Sequence, residues 1–117
     1  VDDNPQNLKL ARVLLEAEGY RTSSAVDGHD ALRAIEAARP DVILMDLQMP
    51  GIDGLTLTRR LKADPLLCAI VIIAVTAFAM RGDDLKALAA GCDGYVSKPI
   101  DISTLPDLIA AKLAARR

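Results

Sequence analysis

The chain has 117 residues, 51% of them hydrophobic and only 3% aromatic, with a formal net charge of −2. That length supports one domain, whose core has to be built from Ala, Val, Ile and Leu. With no basic block and no apolar stretch long enough to span a bilayer, direct nucleic-acid and membrane partners are set aside, and a cytoplasmic location is expected.

Asn4 is a good N-cap with Pro5 at the first helical position. Leu10, Val13, Leu14 and Ala17 then recur at helical spacing until Gly19, which predicts a first helix. Residues 20–26 read as a modest strand ending in the turn signal Asp27-Gly28. Ala31, Leu32, Ile35 and Ala38 mark a second helix that ends before Pro40. A strand follows over 41–46, then a loop, then a helix with Leu57 and Leu61 on one face and Asp53 as its cap. The unbroken apolar run 70–75, rich in β-branched residues, predicts a central parallel strand. A fourth helix is expected over 83–90 and a short strand over 95–97. Leu105, Leu108, Ile109 and Lys112 begin the last helix, where Lys112, Arg116 and Arg117 suit the C-terminal end of the dipole.

Alternation of this kind implies right-handed crossovers and an α/β fold with a parallel sheet covered by helices on both faces. A repeating unit that opens on a helix is incomplete. Val1-Asp2-Asp3 therefore reads as the end of a first strand whose body lies upstream, and the domain over 1–117 is expected to be truncated at its N-terminus. Cys68 and Cys92 lack metal-ligand spacing and read as small buried hydrophobes. His29, in the turn after Asp27-Gly28, is assigned no role.

In an open α/β sheet, ligands bind outside the carboxyl ends of the strands. Asp2 and Asp3 follow the first strand, Asp46 ends the third, Thr76 follows the fourth and Lys98 follows the fifth. Taken singly, each has an ordinary explanation: the acids as helix caps, Thr76 as a strand-end hydroxyl, Lys98 as a solvated lysine. Compatible chemistry at four separate exits is not explained that way. Three carboxylates at one edge repel, at ~4 kcal/mol for unit charges 4 Å apart with an effective dielectric near 20. Either a proton or a hard divalent cation relieves this, and the oxygen donors suit Mg²⁺. An aspartate so placed can attack phosphorus, with metal and ammonium neutralising the equatorial oxygens.

The segments VDDN at 1–4, ILMDLQMPGIDG at 43–54, AVTAFAM at 74–80 and GYVSKPI at 94–100 resemble, in order and over the whole chain, the receiver domain of bacterial two-component response regulators. The resemblance implies a flavodoxin-like doubly wound fold, a five-stranded parallel sheet of order 2-1-3-4-5 with five helices, its first strand mostly missing here. It implies a phosphorelay signalling receiver, not a turnover enzyme, since such a domain catalyses only its own phosphorylation and dephosphorylation. Asp46 would accept the phosphoryl group from a phosphohistidine on a sensor histidine kinase or a histidine phosphotransfer protein. Asp3 and Asp46 would ligate Mg²⁺, Gln48 would offer its main-chain carbonyl, and Asp2 would act through the metal's water. Thr76 would follow the phosphoryl group and Lys98 would pair with it, across a cis Lys98-Pro99 bond.

Tyr95 resembles the family's switch aromatic, turning inward as Thr76 moves. The surface that changes, and that meets a downstream protein target, would be the helix 83–90, the strand 95–97 and the last helix. Phe78 stands where an apolar ring implies slower hydrolysis of the phosphoaspartate. AVTAFAM and GCDGYVSKPI resemble both stand-alone receivers of the cell-cycle type and the receivers of hybrid histidine kinases. Two other classes use similar parts. A haloacid-dehalogenase-like phosphatase needs a second aspartate two residues after its nucleophile, where this chain has Gln48. A nucleotide-binding flavodoxin-like module needs a Gly-rich loop, where Asn4-Pro5-Gln6-Asn7 stands.

Overall fold

The computed structural model describes residues 1, 5–46, 54–76, 88–97 and 105–115. Four complete helices lie within them: α1 (Pro5–Ala17), α2 (Gly28–Ala37), α3 (Gly54–Ala63) and α4 (Leu105–Ala115). Residues 88–90 are helical and belong to the span expected over 83–90. The strands are β1 (Val42–Asp46), β2 (Val71–Thr76) and β3 (Gly94–Ser97). β1 pairs with β2 and β2 with β3, all parallel. These are the third, fourth and fifth strands of the expected order.

Local chemistry sets the helix ends. Asp27 caps α2, its carboxylate accepting from the Asp30 amide at 2.8 Å. α1 stops at Gly19, whose φ of +91° is open to glycine at little cost. There the Tyr20 amide donates to the Leu15 carbonyl and the Gly19 amide to the Glu16 carbonyl, at 3.0 Å each, which satisfies two carbonyls left over at the helix end.

Side-chain alternation along the strands divides the interior in two. Ile43 and Met45 of β1 with Ile72 and Ala74 of β2 face one side, where they meet Ala31 and Ile35 of α2 and Leu57 and Leu61 of α3. Val71 and Ile73 face the other, with Leu105 and Ile109 of α4 and the partly buried Leu14 and Leu15 of α1. Met45, Leu57, Ile72, Ile73 and Ile109 are wholly excluded from water. At roughly 1.5–3 kcal/mol for each fully buried aliphatic side chain, β2 and its flanking helices supply the main apolar stabilisation. This is the doubly covered parallel sheet that the alternating sequence implies.

One expectation needs correction. Residues 20–26 do not form a strand. Their composition suits one, but a strand is held by a ladder neighbour, and the segment is separated from β1 by a cavity of about 1050 Å³. Along α1 the apolar residues do not all face the core. Leu10 and Val13 are exposed, while Leu8, Ala11, Leu14 and Leu15 turn inward.

Val1 stands where the expected first strand would end. Its amino group donates to the Leu44 carbonyl at 2.6 Å, and the Asp46 amide donates to the Val1 carbonyl at 2.9 Å. One residue bonding to j−1 and j+1 of its neighbour is the parallel ladder pattern, and it registers Val1 opposite Met45.

Candidate functional site

Asp46 is the last residue of β1 and is 2% exposed. The hydrophobic run Val42–Met45 carries it there: four apolar residues commit the backbone to the sheet, and the next is an acid that core packing does not require. Removing a carboxylate from water is costly unless hydrogen bonds, a cation or a proton compensate it. Such a residue at a strand exit is a candidate for chemistry.

The register brings the other exits level with it. Asp46 is aligned with Val75, so Thr76 is one residue further along β2, and Thr76 is aligned with Ser97, the residue before Lys98. Neighbouring strands lie ~4.8 Å apart, which sets the ends of β1, β2 and β3 side by side along one edge of the sheet. Val1 joins the same edge through its bond to the Asp46 amide, and the chain runs on from it into Asp2 and Asp3. Tyr95 is aligned with Ala74 on the outer described strand and is half-buried against the cluster that contains Met45 and Leu57.

The structure therefore sets Asp46 and the backbone of Thr76 on neighbouring strands at one edge of the sheet, with Tyr95 on the next strand, level with Met45 rather than with Asp46. Asp2, Asp3, Gln48, Phe78, Lys98 and Pro99 lie outside the described residues, as do Asp53 and the first part of the helix 83–90. Among the described residues no three His, Cys, Asp or Glu side chains gather as a metal site. His29 is exposed, Cys92 is buried as expected, and Cys68 is exposed against expectation, because the turn after α3 places it on the surface.

One polar cluster escapes sequence reasoning altogether. The Lys62 ammonium, near the end of α3, donates to the Cys68 carbonyl at 3.1 Å, the Ile70 carbonyl at 2.8 Å and the Asp93 carboxylate at 2.8 Å. The same Asp93 oxygen accepts from the Ile72 amide at 2.8 Å. Lys62 thereby fastens the entrance of β2 to the turn before β3, at the end of the sheet remote from Asp46. Nearby, the Cys92 thiol reaches the Thr58 hydroxyl at 3.8 Å, and that hydroxyl donates to the Gly54 carbonyl at 2.7 Å. Burial pushes the Cys92 thiol pKa up, opposed by the contact with Thr58. The thiol is thus kept protonated and inert.

Comparison with known proteins agrees with this geometry. The family model of the response regulator receiver domain matches residues 1–110. The chain is 46% identical over 113 residues to the polar-differentiation response regulator DivK of Brucella anthropi, covering 97% of this chain and 92% of that protein. The DivK of Brucella ovis is 45% identical over the same length and coverage. Among solved structures, the receiver domain of a sensor histidine kinase from Pseudomonas aeruginosa, with magnesium coordinated in its active-site cleft, superimposes with a TM-score of 0.88 at 36% identity, covering 97% of this chain and 93% of that one. The signal receiver domain of a histidine kinase from Syntrophus aciditrophicus gives a TM-score of 0.89 at 32% identity, covering 98% and 87%. An acid held at the exit of a buried parallel strand, within a chain matched along nearly all its length, leads to one conclusion: the chain belongs to the response regulator receiver domains and is a phosphorelay signalling receiver.

Proposed function

We propose that Asp46 is the phosphoacceptor. A carboxylate oxygen attacks the phosphorus of a phosphohistidine, the P–N bond breaks with its electron pair going to the imidazole nitrogen, and an acyl phosphate forms on Asp46. The observation that carries this reading is the buried Asp46 at the exit of β1, with its amide bonded to the residue that leads into Asp2 and Asp3. With only 2% exposure at Asp46, the approach of competing water is limited.

The donor set suits a hard divalent cation: the Asp46 carboxylate, the acids Asp3 and, through water, Asp2, and the Gln48 carbonyl are all oxygen ligands of the kind Mg²⁺ takes. Magnesium, when bound, neutralises charge on the phosphoryl oxygens. Lys98, next in the chain after the end of β3, supplies an ammonium to the same group, and Thr76 a hydroxyl. The related receiver with magnesium in its cleft supports the assignment.

Phosphorylation switches the domain through Thr76 and Tyr95. The phosphoryl group makes different contacts in two states of the exit of β2, and β3 follows. The donor is a sensor histidine kinase or a histidine phosphotransfer protein, and the target docks on the helix 83–90, the strand 95–97 and the last helix. The 46% identity to a polar-differentiation response regulator supports a receiver acting in that kind of signalling, in the cytoplasm. No described helix is long and apolar enough to cross a membrane.

Incubation with acetyl phosphate and Mg²⁺, followed by intact mass, tests the reading. One added phosphoryl group is expected, lost in Asp46→Asn and on chelation. Labelling that persists in Asp46→Asn refutes the acceptor; steady turnover of a generic phosphate ester favours a phosphatase.

A further inference from the structure

Among the described residues, the buried polar side chains are Asp46, at 2% exposure, and Thr58, at none. Asp46 has a proposed role. Packing alone does not account for the hydroxyl of Thr58, since Val has nearly the same shape without a group that must be hydrogen-bonded when buried. That hydroxyl is satisfied on both sides, donating to the Gly54 carbonyl at 2.7 Å and accepting from the Cys92 thiol at 3.8 Å. The two ends of this thread lead toward the site from different directions. α3 has 10 residues and is ~15 Å long, and Lys62 near its end bonds to the Ile70 carbonyl at the entrance of β2, so Gly54 at its start lies toward the strand exits. Gly54 is buried, and there the chain that left β1 at Asp46 returns after Gln48. Cys92 stands just before β3, the strand that carries Tyr95 and leads into Lys98.

We infer that Thr58 is a positioning residue for the metal: its hydroxyl holds the first residue of α3, and with it the return of the segment that carries Gln48, against the turn before β3. The inference rests on the proposed ligand set of Asp46, Asp3, Asp2 and Gln48, and extends it to a residue that acts through another. Mg²⁺ demands near-ideal octahedral geometry, so a main-chain carbonyl serves it well only where the backbone is held. A side-chain bond at the end of the segment narrows the conformations open to it. Removing the hydroxyl leaves every ligand in the sequence and frees that end, so Mg²⁺ binding weakens while the fold stands.

Mg²⁺ titrations of the full chain, followed by the Asp46 amide resonance, test it in Thr58→Val, Thr58→Ser and Leu57→Ala, with urea unfolding of each. Thr58→Val is expected to raise the Mg²⁺ dissociation constant about fivefold, the scale of one neutral hydrogen bond, and Thr58→Ser to return it to the native value. Leu57→Ala, which opens the core beneath the same helix and keeps the hydroxyl, is expected to leave the constant unchanged. Native affinity in Thr58→Val, failure of Thr58→Ser to restore it, or an equal loss in Leu57→Ala overturns the inference and leaves the reading of Asp46 standing. A Thr58→Val chain without a cooperative urea transition overturns it as well, since the hydroxyl would then serve the fold. If the native chain takes no Mg²⁺, the proposed ligand set fails first and this inference falls with it.

Discussion

Replacing Lys62 with Met keeps the aliphatic stem and removes the ammonium, which separates the clip from the packing beneath it. Three bonds are lost. The bond to the Ile70 carbonyl is partly buried and stabilises by about 1–1.5 kcal/mol, while the exposed one to Cys68 contributes only a few tenths. The pair with Asp93 has side chains 19% and 38% exposed, so solvent screening limits it to about 0.5–1 kcal/mol. The total is about 2 kcal/mol, which in a domain of this size lowers Tm by roughly 6–10 °C. Urea unfolding of Lys62→Met, Asp93→Asn and the double variant measures both the total and the pair. The midpoint should fall in Lys62→Met with an unchanged m-value, and only the Asp93-dependent part should weaken in high salt. A loss within 0.5 kcal/mol, on the scale of an ordinary surface substitution, would refute the clip.

Gly91 has φ +109°, and an added Cβ would stand 2.8 Å from the Lys62 Cγ, so Gly91→Ala should cost ~2 kcal/mol or more alone and about 1 kcal/mol less in a Lys62→Ala background; equal costs in the two backgrounds would show that the Lys62 stem is not the obstacle. Leu57→Ala, at a site with no exposure, should lose about 3 kcal/mol by chemical denaturation, and a loss under 1 kcal/mol would mean the interior is not packed there. A thiol reagent should modify Cys68 at once and Cys92 only on unfolding. The raised folded pKa of Cys92 means that above the ordinary thiol value of 9.0 the unfolded chain holds fewer protons than the folded one, so stability should fall there as pH rises. The slope should lessen in Cys92→Ala; an identical slope in both chains removes the assignment.

Apolar runs and punctuation were enough to place β1, β2 and α3, because Val42–Met45 and Ile70–Val75 are too short for buried helices and end in residues of another chemistry. The exit of β1 was legible for the same reason: an acid directly after a doubly buried strand has no packing purpose. The segment 20–26 misled because strand propensity describes a fit to a half-buried ladder, and the ladder neighbour is not a property of the segment. The inward face of α1 was not legible, because Leu8, Ala11 and Leu15 recur at helical spacing as well as Leu10 and Val13 do; only the position of the sheet decides between them. The Lys62 clip was invisible, since residues 62, 68, 70 and 93 meet only after three elements have packed.

β2 is enclosed on both sides, with Val71–Val75 no more than 4% exposed. Sliding it sideways would open two interiors at once, a cost far above what one covalent modification supplies. In the proposed switch, rearrangement at that edge would accordingly be channelled past Val75, into Thr76 and the half-exposed Tyr95 and Val96 of β3. The enclosed middle of the sheet would thus serve as a fixed reference against which a small outer movement becomes readable.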